Sequence, residues 1–398
     1  MQVYCYKTRL RYGQINVRKI IKLEGSKMEL KIFSFFSGAG FLDLGFEKEK
    51  YEIVFVNEYN REFMKAYKFS RKKMQMNSPR FGYYCGDIND LLKGEQKNDL
   101  KKKVQDMKTE GLVGFIGGPP CPDFSIAGKN VGISGKNGIL TNSYKRIILE
   151  QEPDFFVFEN VKGLWSTQKH RKEYDKIKRS FRRKGYILVD KLVNALDYGV
   201  PQDRERVILF GIKYDLVDID RRKAVHKLKK KFDWGIREEY RKEKRDQCEW
   251  PDKNKFCANS IMTQPENIIP ELCVEYWFKK NDVYKHYNAI DYFQPKSTER
   301  FESIQEGDVS KKSFKRLHRW RYSPTAAYGN NEVHLHPYAA RRLSVAEALA
   351  IQSLPEEYVI TKELSKSNMF KMVGNGVPFL LAKELAHSIR IFLENELQ

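Results

Sequence analysis

The sequence predicts an α/β fold: a parallel sheet whose domain is interrupted by a smaller, basic inserted module. Three observations predict it. Through the first two hundred residues, short apolar runs alternate with amphipathic stretches, the pattern of strands buried on both faces and joined by crossover helices. The first run ends in a glycine turn, Phe36-Ser37-Gly38-Ala39-Gly40, followed at once by an apolar-periodic stretch. After about Lys213 the texture becomes basic and irregular, and helical periodicity returns only near Ser344.

The elements read in order as follows. Leu30–Phe36 is the first buried strand, and Leu42 to Glu47 the helix after the glycine turn. Ile53–Asn57 is a second strand, Arg61–Arg71 a helix, and Leu112–Ile116 and Phe155–Phe158 are further strands. Tyr174–Lys184 has helical periodicity, and Ile187–Leu192 and Val207–Ile212 complete the set of strands. Near the C-terminus, Ser344–Ser353 and Phe379–Leu397 again carry the 3.6-residue repeat. The chain therefore divides into residues 1–28, 29–212, 213–322 and 323–398, the last expected to pack back on the second.

Composition narrows the classes. With 41% hydrophobic residues the 398-residue chain has material for a core, which excludes a disordered or fibrous protein. Its longest apolar stretches, such as Asp154 to Val161, fall far short of the roughly 18–20 residues of a membrane span, so a soluble protein without membrane association is expected. The net charge of +21 favours a polyanionic partner, nucleic acid before acidic membrane. Six scattered cysteines form neither a zinc motif nor a disulfide framework, and a reducing cytoplasm is expected. No metal is expected either: the seven histidines include no His-x-x-x-His, and His334 and His336 read as solvated residues of a polar loop.

Three strand ends carry candidate chemistry. Glycines at a strand-to-helix turn let a ligand approach the backbone and expose amide donors at the helix N-terminus. Glu58 ends the second strand twenty positions after Gly38, the spacing at which an acid accepts both ribose hydroxyls of a nucleoside. Asp87, in Gly86-Asp87-Ile88, ends a third and could read an adenine amino group. As bare tight turns these glycines would need no ligand.

The Leu112–Ile116 run leads into Gly117-Gly118-Pro119-Pro120-Cys121-Pro122-Asp123-Phe124-Ser125, a rigid loop that continues neither strand nor helix. Cys121 is presented there as a candidate nucleophile, or else is an incidental thiol on a turn. Glu159, at the end of the next buried strand, is placed where a carboxyl pKa rises. In Gln202-Asp203-Arg204-Glu205-Arg206, two arginines two apart would point the same way and clamp an anion or a carbonyl.

These pieces occur in one order: the glycine turn, Gly118-Pro119-Pro120-Cys121, Glu159-Asn160-Val161, Gln202-Asp203-Arg204-Glu205-Arg206, then Arg342-Leu343-Ser344-Val345-Ala346-Glu347 with Gln352 and Pro355, and finally Gly374-Asn375-Gly376-Val377-Pro378. The chain resembles the DNA (cytosine-5) methyltransferases, typically bacterial modification enzymes, over about Leu30 to Gly211 and Pro324 to the end. The resemblance implies a Rossmann-like S-adenosylmethionine-dependent methyltransferase sheet carrying a target-recognition domain at 213–322. It implies that Cys121 adds to carbon 6 of a flipped cytosine, that Glu159 holds ring nitrogen 3 and its proton, that Arg206 meets the exocyclic oxygen, and that Arg204 serves a neighbouring phosphate or the Cys121 loop. It further implies that Phe36, Gly38, Ala39, Gly40, Glu58, Asp87, Ile88, Pro120, Leu140, Asn375 and Val377 bind S-adenosylmethionine. Two positions depart from the family's pattern: Pro122 stands where Gln is usual after the nucleophile, and Gly376 where Ser is common, the latter expected to cost at most one hydroxyl contact.

The implied partner is double-stranded DNA, bound by a monomer, with a cognate restriction endonuclease as genetic rather than physical partner. In the inserted module, lysines and arginines would neutralise phosphates, and Arg237, Arg300, Arg319 and Arg321 are candidates for guanine edges. Trp234, Trp250 and Trp277 are expected in that module's own core. Residues 1–28, the N-terminal arm, have no assigned role. Three alternatives stay open. An RNA (tRNA) cytosine-5 methyltransferase would share the fold, although the Cys-Phe-Thr tripeptide of that branch is absent. A catalytically inactive DNA-binding relative would not need the intact Cys121, Glu159, Arg204 and Arg206. A cysteine hydrolase would need a histidine base, and none lies in the strand-end motifs.

Overall fold

The computed structural model describes residues 28–120, 136–217, 224–328 and 332–397. The elements follow in chain order: β1 (Leu30–Phe35), α1 (Phe41–Lys48), β2 (Glu52–Asn57), α2 (Arg61–Lys73), β3 (Tyr83–Tyr84), α3 (Gly94–Glu110), β4 (Leu112–Gly117), α4 (Lys136–Gln151) and β5 (Phe155–Val161). Then come α5 (Gly163–Ser166), α6 (Gln168–Arg183), β6 (Tyr186–Asn194), β7 (Glu205–Lys213) and α7 (Ala224–Lys231). The irregular stretch beyond holds only α8 (Lys242–Arg245), α9 (Val274–Lys280) and α10 (Glu299–Glu302). Three helices close the chain: α11 (Val345–Ile351), α12 (Lys366–Asn375) and α13 (Phe379–Glu396).

The seven strands form one sheet in the order β3-β2-β1-β4-β5-β7-β6. From β3 to β5 every pair is parallel, but β7 pairs antiparallel with both β5 and β6, so the sheet is mixed rather than parallel. The connection explains the correction. Only Ala195 to Arg204 separate β6 from β7, too few residues for the crossover that a parallel pairing requires. Apolar runs buried on both faces read alike in either direction, so the sequence carries no sign of the reversal. The two-residue edge strand β3 also leaves no periodicity to read.

Alternate strand residues serve the two faces. Ile32, Ile53, Val157 and Phe210 meet Leu42 and Phe46 of α1 and Leu381, Leu385 and Ile389 of α13. Phe33, Phe115, Phe156 and Phe158 meet Val104 of α3, Ile147 of α4 and Ile177 and Phe181 of α6. The C-terminal helix lies so close to α1 that a Cβ on Gly45 would come within 2.6 Å of Ala382. Leu228 and Phe232 join the first of these faces, and Trp234 packs edge-on to Phe232, which stacks on Phe210 at 5.0 Å. Trp234 therefore covers the sheet and does not fill a core of its own module, whereas Trp277 is buried with α9, α11 and α12. That third cluster also takes in Ala39, Phe41 and Leu44, so it clamps the C-terminal helices onto the glycine turn.

Candidate active site

β1, β2 and β4 are parallel and end together, so their C-terminal loops share one edge of the sheet. Beyond β1 the backbone turns through positive φ at Phe36 (53°), Gly38 (57°) and Gly40 (82°). Glycine is required at Gly40 for a second reason, since a Cβ there would lie 2.4 Å from the Tyr67 ring. At Gly38 the opposite holds: among the described residues a Cβ would meet nothing within 4 Å, leaving an open cradle above an N–H-lined turn. The Glu58 carboxylate closes one side, its Oε2 accepting Gly38 N–H at 2.9 Å and its Oε1 accepting Asn60 N–H at 2.7 Å. Burial raises the Glu58 pKa, opposed by these backbone donors.

Asn57 brings the third strand end alongside, its Nδ2 donating to the carbonyls of Tyr84 and Gly86. Asp87 Oδ1 accepts both N–H and Nδ2 of Asn89 at 2.9 Å, capping the short helical turn Ile88–Leu92. The Ile88 side chain is sunk in the core, so only its backbone remains for a ligand. Phe36 and Leu140 are half-buried against that same core. The hydroxyl of Ser37 is buried with no hydrogen-bond partner among the described residues. An orphaned hydroxyl, an open glycine cradle and two acids at successive strand ends fit a polar, hydroxyl-bearing nucleoside; no described group contradicts one.

Beneath the turn lies a buried charged group that the sequence did not disclose. Arg71, 2% exposed, donates through Nη2 to the Gly40 carbonyl at 2.7 Å and through Nε to Glu47 at 2.9 Å, and lies over the Tyr67 ring. Tyr358 donates to the Ala39 carbonyl at 2.6 Å. Asp43 accepts from Ser34 and Tyr67, and burial pushes its carboxyl up to about 6. Arg71 reads in sequence as one more basic residue at the end of α2; only the packing makes it a strut.

The second half of the site forms where β4 and β5 end. Gly118 follows β4, and the loop rises through Pro119 and an exposed Pro120. Cys121 and Pro122 lie outside the described residues. Glu159, 8% exposed on β5, sits over the loop's stem: a Cβ on Gly118 would come 2.5 Å from its Oε2. Val161 pairs with Arg206 across β5 and β7, which places Arg206 diagonal to Glu159 on one face. Arg206 Nε meets Glu159 Oε1 at 3.0 Å. Burial raises the Glu159 pKa, while Arg206 and then Arg204 pull it down, so the carboxyl stays above its ordinary value beside a fixed cation.

Arg204 lies at the root of β7, just before its first residue, Glu205. Its guanidinium is buried and donates to the carbonyls of Gly374 at 2.9 Å, Gly376 at 3.0 Å and Ala326 at 3.3 Å, with Gln202 Oε1 at 3.4 Å. Among the described residues it ties the C-terminal Gly374-Asn375-Gly376 turn to the root of β7. Gln202 extends the tie, accepting Ala326 N–H at 2.9 Å and donating to Gln352, which in turn donates to the Val373 carbonyl. Asn375 is thereby exposed at the end of α12, with Val377 buried beside it. Gly376 costs more than a hydroxyl contact: a Cβ there would lie 2.2 Å from Phe41, whose ring fills that space.

Two further expectations change. His334 and His336 are buried rather than solvated, and burial pushes them down to about 3 and about 4. Arg319 reads no base edge from its position, because it is sealed against both oxygens of Glu306 and against Ser260. Arg237 pairs with Glu384, while Arg300 stays exposed. Among the described residues no group of three or more His, Cys, Asp or Glu side chains could hold a metal, and no helix is long and apolar enough to cross a membrane.

The chain is similar to known proteins along most of its length. The family model described as C-5 cytosine-specific DNA methylase matches residues 30–390. The Type II methyltransferase M.NmeDI of Neisseria meningitidis serogroup C is 52% identical over 379 residues, covering 94% of this chain and 87% of that protein. The Type II methyltransferase M.FnuDI of Fusobacterium nucleatum is 30% identical over 362 residues, covering 91% and 94%. A prophage-encoded DNA modification methyltransferase from E. coli shares the fold, with a TM-score of 0.63 at 21% identity over 92% of this chain and 100% of that one. A DNMT2 variant from Spodoptera frugiperda does so with a TM-score of 0.54 at 14% identity, covering 91% and 99%. The chain belongs to the C-5 cytosine-specific DNA methylase family and is a DNA cytosine-5 methyltransferase.

Proposed function

We propose that this enzyme methylates one cytosine within a specific duplex sequence, protecting DNA in a Type II restriction–modification system. The observation that carries the reading is Glu159: a buried carboxyl with a raised pKa, clamped by Arg206 at 3.0 Å, directly over the glycine stem that leads to Cys121. Cytosine carbon 5 is a poor nucleophile. Addition of the Cys121 thiolate to carbon 6, with the proton shared between Glu159 and ring nitrogen 3, makes it an enamine carbon. Arg206 holds the exocyclic oxygen and keeps Glu159 oriented. The target base must leave the helix to reach this edge, at a few kcal/mol of unstacking. Once carbon 5 carries the methyl group, loss of its proton to water and elimination of the thiolate release the product.

The family implies S-adenosylmethionine as donor, which supplies an electrophilic methyl group. Phe36, Gly38, Ala39 and Gly40 would hold it at the turn, with Glu58 on the ribose, Asp87 and the Ile88 backbone on the adenine, and Pro120, Leu140, Asn375 and Val377 around the remainder. The buried, unpartnered Ser37 hydroxyl supports that reading. Residues 29–212 with 323–398 form the catalytic unit and 213–322 the recognition module, whose first part packs on the sheet through Phe232 and Trp234. The enzyme works as a cytoplasmic monomer on double-stranded DNA, without a metal. Its partner endonuclease is a genetic companion.

The test is covalent trapping. A duplex carrying 5-fluorocytosine in the target context, incubated with S-adenosylmethionine, should give a protein–DNA adduct that survives denaturation. Cys121→Ala should abolish it while duplex binding persists, and Glu159→Gln should slow it roughly a hundredfold or more, the scale for a lost general acid. Absence of an adduct from a protein that binds the duplex would end the covalent reading. Bisulfite sequencing of DNA from expressing cells would identify the sequence methylated.

A further inference from the structure

One strongly charged surface takes no part in the chemistry described above. Helix α6 holds eight lysines and arginines but only two acids, Glu173 and Asp175. Its buried residues His170, Tyr174, Ile177 and Phe181 lie on one side, against the sheet. Lys169, Lys172, Lys176, Arg179 and Arg183 recur every three or four positions and are all exposed. At 100° per residue they fall within about 80° of arc, centred opposite the buried side. The stripe therefore points straight away from the protein along a helix about 24 Å long.

Four of its five charges have no ion-pair partner among the described residues. Lys176 pairs with Glu173, but among the described residues no ion pair engages Lys169, Lys172, Arg179 or Arg183. An ordinary solvated helix face interleaves Glu with Lys four apart. Here the neighbours along the row are like-charged, and each such pair is unfavourable. The first turn also holds Lys169 and Arg171 with no acid, the wrong sign for the positive end of the helix dipole. A row kept cationic against these local costs matches a polyanion that relieves them.

The helix also starts in the right place. β5 ends at the sheet edge that carries Glu159, and α5 and α6 follow it directly, so the stripe runs from the active-site edge down the flank of the catalytic domain. The Arg171 guanidinium, stacked 4.0 Å over the Trp165 ring, pins its upper end to α5. Duplex DNA offers one negative charge per about 1.7 Å of axis, dense enough for every cation of the row to find a phosphate.

We propose that the outer face of α6 is a second, sequence-independent DNA-binding surface, which holds duplex lying outside the recognised site. This rests on the reading of the protein as a DNA methyltransferase, so the test separates the two. A Lys169→Gln, Lys172→Gln, Arg179→Gln, Arg183→Gln variant is compared with the unaltered full chain. One substrate is a short duplex only spanning the target; the other is a duplex of several hundred base pairs with one target. Gln matches Lys and Arg in helix propensity, and removing the like-charge row should leave the thermal midpoint unchanged or raised. On the long duplex the slope of log K against log salt should fall by up to roughly 0.9 per lost contact, and affinity at moderate salt by at least tenfold. On the short duplex kcat should not change. An unchanged salt slope on long DNA in a protein that still methylates the short duplex would overturn the proposal. Failure of the unaltered protein to methylate either duplex would instead overturn the reading beneath it.

Discussion

Replacing Arg204 by Met distinguishes a strut from a phosphate contact. Met keeps the length and apolar stem of the side chain and removes every donor. The structure gives Arg204 two short charge-assisted bonds, to Gly374 and Gly376 at 2.9 and 3.0 Å, and two longer ones that matter less. A hydrogen bond from a charged donor contributes about 1.5–3 kcal/mol. Gly374 and Gly376 are only half-buried, so water can partly replace the donor and the lower end applies to each. The loss should then be about 3 kcal/mol for the two, and it falls on the geometry of the turn that carries Asn375 and Val377. Since about 1.4 kcal/mol is tenfold in affinity, S-adenosylmethionine should bind roughly a hundredfold more weakly, as measured by titration calorimetry. Duplex affinity by fluorescence anisotropy, and its salt slope, should stay as before. The reasoning is refuted if cofactor affinity is unchanged while DNA affinity and its salt slope both fall, because Arg204 would then be serving a phosphate after all.

Other outcomes follow from close approaches and from burial. Gly118→Ala would put a Cβ 2.5 Å from Glu159 Oε2; single-turnover methyl transfer should drop at least tenfold while cofactor binding persists. Gly376→Ser, which installs the residue common in the family, should destabilise by about 1–3 kcal/mol through overpacking against Phe41, and Phe41→Leu in the same chain should restore part of the urea midpoint. His336 is held to about 4 by burial against an ordinary 6.5, so the unfolded chain takes up its proton first as pH falls and the folded state loses stability from pH 6.5 down through about 4. A His336→Gln variant lacks that loss, and the gap between its urea midpoint and that of the unaltered protein should narrow across the same window.

How much the sequence disclosed depends on whether a signal is local. The glycine turn, Glu58 at twenty positions beyond Gly38, and Glu159 at the end of an apolar run were all legible, because each stands where an apolar pattern breaks. Two helices of the C-terminal segment, α11 and α13, were legible from their periodicity, whereas α12 was not read. Long-range partners were not. His334 and His336 sit in a polar stretch, and nothing nearby in sequence shows that Tyr328, Glu347 and Tyr284 close around them. Trp234 looked like part of a separate module, yet its neighbours are Phe232 and, through it, Phe210 and Phe392.

By itself the sequence determined an α/β chain, the order of its strand-end loops and the residue types those loops display, since backbone turns and burial periodicity are written in neighbouring residues. The tertiary structure alone decided how those loops are held. It reversed β7 so that Arg206 could reach Glu159, sent Arg204 to the C-terminal turn, and set Arg71 under the glycines. Each of these joins residues tens to hundreds of positions apart. Such contacts arise from the packing of whole elements, in which a charge finds its partner only after the faces between them have closed.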